Sequence, residues 1–145
     1  MIVYFDSSAL VKRYLSEAES ARVNSLIAQA SVMGTSLISR AEVSAAIAKA
    51  GRMNWLTREA ALLARQSFRS EWPSLVGVEV SESIVIQADD LAWEHGLRGY
   101  DAVHLACALS WQERLAETVT MATFDRDLWQ AAGRDGMNVW PETLE

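Results

Sequence analysis

Short apolar runs alternate with amphipathic segments along the chain. The first run, 2–5, ends at Asp6, which is typical of a short buried strand that leads into a helix capped by Ser7 or Ser8. Between the runs, apolar residues recur at helical spacing, as at Val43 and Ile47. The pattern predicts strands over about 2–5, 33–38, 75–80, 118–123 and 137–140, and helices over about 9–15, 19–30, 39–51, 57–71, 83–95, 101–113 and 125–132.

The order of these elements indicates a fold class. Strands alternate with helices and no hairpin dipeptide joins two strands, so we expect an α/β fold with a parallel sheet covered on both faces. The sheet should have about five strands and about seven flanking helices. The chain of 145 residues has no internal repeat or linker-like tract, which favours a single domain over 1–145.

The cysteine content and the amino terminus bear on the compartment. Cys107 is the only cysteine and cannot form an internal disulfide, which fits a reducing, cytoplasmic environment. The amino terminus has no basic region, and Asp6 interrupts its apolar run. We therefore expect neither a signal peptide nor a membrane span.

Charge is distributed unevenly, although the formal net charge is −6. Residues 1–70 hold nine Lys and Arg against five Asp and Glu, whereas residues 71–145 hold four against fourteen. The net charge argues against a nucleic-acid partner, because phosphate binding normally requires a basic surface. A polyanion can still bind the amino-terminal half, provided that metal ions neutralise the acids near it.

One predicted helix in the basic half carries an arginine-rich face. Arg58, Leu62, Arg65 and Arg69 fall at helical spacing within 57–71. A solvated helix face is the usual explanation of such a pattern. The alternative is that Arg65 and Arg69 contact phosphates of a substrate, and the charge asymmetry keeps that alternative open.

Four acids follow predicted strands or open predicted helices: Asp6, Glu42, Asp101 and Asp125. Each alone is explained as a helix cap or a first-turn acid, and Ser39 with Glu42 matches a capping box. Together they suggest more, because parallel strands send the helix starts that follow them to one edge of the sheet. Converging carboxylates repel one another unless a cation lies between them, and oxygen ligands suit Mg²⁺ or Mn²⁺.

The sequence around these acids forms four motifs. They are Asp6-Ser7-Ser8-Ala9-Leu10-Val11-Lys12, Ser39-Arg40-Ala41-Glu42-Val43, Arg98-Gly99-Tyr100-Asp101-Ala102-Val103-His104-Leu105-Ala106 and Thr123-Phe124-Asp125-Arg126-Asp127-Leu128. In this order, and over nearly the full chain, the motifs resemble the signature blocks of PIN-domain ribonucleases. More narrowly, they resemble the VapC-type toxins of bacterial toxin–antitoxin pairs.

The resemblance implies a PIN-like three-layer fold with Mg²⁺ or Mn²⁺ held at the carboxyl edge of the sheet. Thr123 matches the hydroxyl that orients the acids, and Ser8 matches the small polar position after the first acid. Asp127 lies where some members of the family carry an extra acid. The residues that match the catalytic and metal-binding quartet of the family are Asp6, Glu42, Asp101 and Asp125.

The activity that this resemblance implies is metal-dependent hydrolysis of RNA phosphodiester bonds by an endoribonuclease. The protein would act as the toxin of a type II toxin–antitoxin system, as a homodimer that a small antitoxin binds and inhibits. The quartet would hold the metal, with Asp6 and Asp101 binding the principal ion.

Two other functions remain open at this point. The first is a phosphoryl-transfer or phospho-acceptor domain that uses Asp6, although Ser8 stands where aspartyl phosphatases usually carry a second Asp. The second is a non-catalytic, PIN-like binding module.

His104 lies one helical turn after Asp101, a spacing compatible with a metal ligand, although a helix histidine is more often packed or solvated.

Overall fold

A five-stranded parallel sheet forms the centre of the structure, a computed structural model that describes residues 1–145. All four strand pairings are parallel, and the spatial order is β3-β2-β1-β4-β5. The predicted α/β class is therefore confirmed. The strands are β1 Ile2–Phe5, β2 Val32–Ser36, β3 Val76–Val78, β4 Val119–Ala122 and β5 Asn138–Trp140.

Seven α-helices flank the sheet, as the hydrophobic pattern predicted. Short 3₁₀ segments follow the first and the fourth of them, at Val11–Arg13 and Trp72–Ser74. None of the helices has both the length and the apolar character that crossing a bilayer requires. The helices are α1 Ser7–Leu10, α2 Ser20–Gln29, α3 Ser39–Arg52, α4 Arg58–Glu71, α5 Glu82–His95, α6 Gly99–Leu115 and α7 Arg126–Arg134.

β1 lies in the middle of the sheet and is buried on both faces. Val3, Tyr4 and Phe5 are fully buried, and successive residues of a strand point to opposite faces. Tyr4 belongs to a core formed with α5, α6 and α7, whereas Val3 and Phe5 belong to a core formed with α1 to α4. Double-sided burial explains the continuous apolar run at 2–5 and produces the three-layer arrangement.

The strand order places a crevice at the end of β1. From β1 the chain builds β2 and β3 on one side, and then crosses to build β4 and β5 on the other. In open α/β sheets, ligands bind at the carboxyl edge where the strand order reverses in this way. Here that point lies between the ends of β1 and β4, which Asp6 and Thr123 directly follow.

Several predicted helix starts were wrong in detail. The cap of α1 is Asp6 itself, and α1 spans only Ser7–Leu10 before the 3₁₀ segment, instead of 9–15. α6 begins at Gly99 rather than at Asp101, because Gly96 ends α5 in a left-handed conformation at φ 67° and Arg98 is already in extended backbone. Asp101 consequently lies inside the first turn of α6.

The capping box predicted for α3 is also absent. α3 begins at Ser39, and its N-cap residue Ile38 provides no side-chain hydrogen bond. The hydroxyl of Ser39 is buried and is hydrogen bonded to that of Thr35 at 2.6 Å. The carboxylate of Glu42 is therefore not used as a cap.

Candidate active site

The four predicted acids line one cavity at the carboxyl edge of the sheet. The cavity has a volume of about 380 Å³ and receives Asp6 from the end of β1, Glu42 from α3, Asp101 from α6 and Asp125 from the start of α7. Residues separated by up to 119 positions in sequence thus meet in one place. The remaining lining residues are Ser7, Ser8, Val11, Ala46, Arg98 and Tyr100.

Asp6 is the most deeply buried of the four acids, with 3 % of its surface exposed. Its Oδ1 accepts the amide of Ala9 at 3.0 Å, so the carboxylate caps α1. The hydroxyls of Ser8 and Thr123 also donate to it, at 2.7 Å and 2.6 Å. Burial raises the pKa of Asp6, and these donors and nearby His104 partly oppose the shift because they favour the carboxylate.

The same hydroxyls connect the ends of β1 and β4. The oxygen of Ser8 accepts the amide of Phe124 at 3.1 Å, and that of Thr123 accepts the amide of Asp125 at 3.0 Å. Each hydroxyl therefore donates to Asp6 and accepts from the backbone after β4. Ser8 and Thr123 thus link Asp6 to the backbone that leads to Asp125.

Arg98 bridges two of the acids. Its guanidinium donates to Oδ2 of Asp101 at 3.0 Å and to Oδ2 of Asp125 at 2.9 Å, although 78 % of the arginine side chain is exposed. The other oxygen of Asp125 accepts the amide of Leu128 and caps α7. Burial, followed by the charge of Asp125, raises the pKa of Asp101. Sequence analysis assigned no role to Arg98.

Glu42 is held by a residue that sequence analysis did not assign to the site. Its Oε1 is 2.8 Å from Nε2 of His104, whose Nδ1 is 2.8 Å from the hydroxyl of Tyr4. His104 has only 1 % of its surface exposed and does not line the cavity. The one-turn spacing after Asp101 was the only sequence signal; it is compatible with a metal ligand, but a packed or solvated histidine was the more usual explanation, and the structure shows His104 packed.

The donor set fits a hard divalent cation. All four acids offer carboxylate oxygens, which such cations prefer. The pKa values of Asp6 and Asp101 are raised. A positively charged guanidinium group already lies between Asp101 and Asp125. The ligand oxygens are not yet mutually close, since no three of these acids place them within 4.8 Å of one another. Binding one ion by three of the acids therefore requires side-chain movement.

Another group of residues meets that distance limit elsewhere. Glu94 and His95 at the end of α5 and Asp135 after α7 bring their ligand atoms within 4.8 Å of one another. Nε2 of His95 is 3.0 Å from Oδ2 of Asp135, which is explained by an ordinary contact between the two helices. None of the three residues lines the cavity of the acidic quartet.

Three other predicted site residues lie outside the cavity. Asp127 is exposed in the first turn of α7 and does not line it. Arg65 and Arg69 are exposed on α4 and line a separate surface cavity of about 580 Å³. Arg40, from the first turn of α3, lines that cavity as well and was not predicted.

Comparison with known proteins identifies the class to which this fold and site belong. A family model described as PIN domain matches residues 3–134, so the chain belongs to the PIN domain family. Within it, the chain is similar to Ribonuclease VapC45 of Mycobacterium tuberculosis, with 34% identity over 144 residues that cover 99% of this chain and 98% of the relative. The proposed family resemblance is thereby confirmed.

Solved structures share the fold at lower sequence identity. A toxin–antitoxin complex from Klebsiella pneumoniae is 20% identical with a TM-score of 0.65 and covers 99% of each chain. VapC20 of Mycobacterium tuberculosis, described as a sarcin-ricin loop cleaving toxin, is 17% identical with a TM-score of 0.66 and covers 99% of each chain. At these identities the similarity supports the three-layer fold.

Proposed function

We propose that the protein is a metal-dependent endoribonuclease that acts as the toxin of a toxin–antitoxin pair. The observation that carries this proposal is the meeting of Asp6, Glu42, Asp101 and Asp125 in one cavity at the reversal of strand order. Support also comes from the similar ribonuclease of Mycobacterium tuberculosis and from the toxin–antitoxin complex that shares the fold.

The chain's own residues have distinct roles in this proposal. Asp6 and Asp101 hold the principal ion, and Glu42 and Asp125 either complete a second metal site or orient the attacking water. A divalent ion, Mg²⁺ or Mn²⁺, supplies an activated water and neutralises charge on the phosphate in the transition state. Ser8 and Thr123 favour the ionised form of the Asp6 carboxylate and fix its orientation, because both hydroxyls donate to it.

A second surface cavity offers basic side chains to RNA phosphates. Arg65 and Arg69 on α4 and Arg40 on α3 line one cavity, and no acidic side chain pairs with any of them. Arg40 and Glu42 both lie in the first turn of α3. We assign Arg65 and Arg69 to binding of the RNA backbone, since unpaired guanidinium groups suit phosphate oxygens.

A small antitoxin has a receiving surface between α3 and α4. A groove of about 640 Å³ there is lined by apolar residues, including Ile47, Ala61 and Leu62, and by Arg52, Arg58 and Arg65. Leu62 is 57% exposed, so an apolar segment of a partner gains contact by burying it. The homodimer remains a prediction of the family resemblance.

The decisive experiment uses the purified, antitoxin-free protein and total RNA. We expect cleavage with Mn²⁺ or Mg²⁺, no cleavage with a chelator, and no cleavage by Asp6→Asn under either condition. Products should carry 5′-phosphate and 3′-hydroxyl ends. Cleavage by Asp6→Asn at the wild-type rate, or no metal-stimulated cleavage by the wild-type protein, would contradict the proposal.

The phospho-acceptor alternative gains no support from the contacts of Asp6. Both of its oxygens already accept hydrogen bonds, and the carboxylate is almost fully buried. An in-line attack on a phosphoryl donor requires an exposed oxygen. Incubation with a labelled phosphoryl donor checks this alternative, and acid-stable label on Asp6 would favour it over the nuclease.

A further inference from the structure

A buried chain of hydrogen bonds runs from the core of the protein to the acidic cavity. It begins at Tyr4 in the middle of β1, passes through the imidazole of His104 on α6, and ends at Glu42 on α3. Both of its bonds measure 2.8 Å, and Tyr4 and His104 have 0 % and 1 % of their surface exposed. These hydrogen bonds thus link β1, α6 and α3, and the linked residues are shielded from solvent up to Glu42.

The chemistry of the three groups determines the direction of these bonds. An ionised carboxylate only accepts hydrogen bonds, so Nε2 of His104 must carry the proton that it shares with Glu42. In the neutral tautomer that carries this proton, Nδ1 is an acceptor and the hydroxyl of Tyr4 donates to it. Burial favours this arrangement, because burial raises the pKa of Tyr4 and so keeps its hydroxyl protonated as a donor. No buried polar side-chain atom of the protein is left without a hydrogen-bond partner.

Glu42 depends on His104 for its position. The Oε1 oxygen is held by the imidazole, and Oε2 makes no hydrogen bond within the protein. The bond to Tyr4 fixes the ring, and the ring in turn selects the orientation of a carboxylate that would otherwise rotate freely on a partly exposed side chain. In metal sites, a residue behind a ligand commonly hydrogen bonds to that ligand and fixes its orientation, and His104 stands in this relation to Glu42.

We propose that His104 is a positioning residue for the reaction, which holds Glu42 toward the metal and the substrate and is itself oriented by Tyr4. This inference rests on the proposed nuclease function. It assigns to His104 neither a metal ligand nor a proton-transfer role, since the ring faces Glu42 and Tyr4 and does not line the cavity.

Two substitutions of His104 separate this role from simple filling of the core. In His104→Gln, the terminal amide lies near the position of Nε2 and can still donate to Glu42, while the hydroxyl of Tyr4 loses its partner. In His104→Asn, the shorter amide lies near the position of Nδ1 and keeps Tyr4 paired, while Glu42 is released. Both side chains are polar and neutral, so the pair is matched.

The measurements are Mn²⁺ affinity by calorimetry without RNA, the kcat and KM of RNA cleavage, and the Tm of the metal-free protein. We expect His104→Asn to lower kcat and Mn²⁺ affinity by about 10- to 100-fold with little change in KM. His104→Gln should stay within about 3-fold of wild type but have the lower Tm, because it leaves a buried hydroxyl unpaired. Adding Tyr4→Phe to His104→Gln should recover that Tm.

The opposite ranking overturns the inference. If His104→Asn retains Mn²⁺ affinity and kcat while His104→Gln loses them, the bond to Tyr4 is the important one and His104 does not position Glu42. If both variants have the same Mn²⁺ affinity and kcat, the bond between His104 and Glu42 has no separate effect and the inference is likewise overturned. Nitrogen NMR of the wild-type imidazole is a test that needs no variant: a protonated Nε2 supports the inference, and an unprotonated Nε2 overturns it. A wild-type protein that binds Mn²⁺ but cleaves no RNA would contradict the nuclease, while the Mn²⁺ affinities of the variants would still test His104.

Discussion

The hydroxyl of Thr123 donates to Oδ2 of Asp6 at 2.6 Å, across 117 positions of sequence. Thr123 directly follows β4 and Asp6 directly follows β1, so this bond joins the two central strands at their carboxyl ends. The same hydroxyl accepts the amide of Asp125, which places the two acids relative to each other. A single side chain therefore sets the geometry of half of the acidic quartet.

Replacing Thr123 by valine should weaken the enzyme more than the fold. Valine has nearly the same shape but cannot donate to Asp6, so the carboxylate loses a bond of the charge-assisted kind worth about 1.5–3 kcal/mol. We expect cleavage to fall about 10- to 100-fold. Thr120→Val is the control, because Thr120 is buried in β4, which Thr123 directly follows, and makes no side-chain hydrogen bond. Equal losses in both variants would show that the strand, rather than this bond, is responsible.

Asp101→Asn should nearly abolish cleavage while the protein stays folded. Asp101 is not a helix cap, so only its charge toward the cation and Arg98 is lost. Loss of a ligand to a catalytic ion removes several kcal/mol of transition-state stabilisation, which corresponds to a fall of about 10³-fold. Asp127→Asn is the matched control, and we expect at most about a 2-fold change because Asp127 lies outside the cavity. A large effect of Asp127→Asn would place it in the site after all.

The stability that Asp6 contributes to the metal-free protein should be lost as the pH rises above the unfolded-state pKa of about 4. Burial raises the folded-state pKa of Asp6, so the folded protein binds this proton more tightly than the unfolded chain does. The stability that this proton provides is fully present below the unfolded-state pKa, and it is lost as the pH passes through the folded-state pKa. Asp101 contributes in the same direction but less, because it is only half buried.

Urea unfolding at a series of pH values measures this effect. Since other carboxylates titrate in the same range, the informative quantity is the difference in free energy of unfolding between the wild-type protein and Asp6→Asn. We expect the variant to show the shallower decrease, and Mg²⁺ to restore wild-type stability near neutral pH by binding the folded state. Parallel pH profiles for the two proteins would contradict the assignment to Asp6.

Arg98→Ala should strengthen metal binding by the RNA-free protein. The guanidinium lies between Asp101 and Asp125 and has to leave before an ion can bind both acids. Because Arg98 is highly exposed, its ion pairs are screened by solvent, and we expect a gain in Mn²⁺ affinity of only about 2- to 5-fold. Arg126→Ala removes an exposed arginine of α7 that forms no ion pair and should leave the affinity unchanged. Weaker Mn²⁺ binding by Arg98→Ala would show that Arg98 instead supports the acids.

Replacing Arg65 and Arg69 together by alanine should raise the KM for RNA and leave Mn²⁺ affinity unaltered. Each arginine that contacts a phosphate adds about one unit to the salt dependence of binding, so the slope should fall by about two. Arg134→Ala is the control, because Arg134 is exposed at the end of α7, away from this surface. If the double variant keeps both KM and salt slope, the arginines form an ordinary solvated helix face.

Much of the fold and the acidic quartet could be predicted from local patterns. The apolar run at 2–5 and the helical spacing of Val43 and Ile47 indicate buried positions, because each pattern can be read from residues only a few positions apart. The order of the strands could not be derived this way, and the family resemblance supplied the three-layer arrangement. Helix starts were less accurate, because neighbouring polar residues compete for the cap: Asp6 rather than Ser7 or Ser8 accepts the amide of Ala9, and the hydroxyl of Ser39 bonds to Thr35.

The contacts behind the quartet could not be predicted for the same reason. Glu42 and His104 are 62 positions apart, and Arg98 and Asp125 are 27 apart. No periodicity relates such residues, and their types are also common on ordinary helix surfaces. α6 and α3 belong to the cores on opposite faces of the sheet, and the fold brings the imidazole of one to the carboxylate of the other.

Two of the four acids both cap a helix and line the cavity, and this affects how screens for loss of toxicity of this protein should be interpreted. Asp6 and Asp125 cap α1 and α7 while lining the cavity, whereas Glu42 and Asp101 cap nothing. Survivors altered at the two caps will combine lost activity with lower stability, because losing a cap alone costs about 1 kcal/mol. Survivors altered at Glu42 or Asp101 will be well-folded proteins, suited to capturing intact partners and uncut RNA.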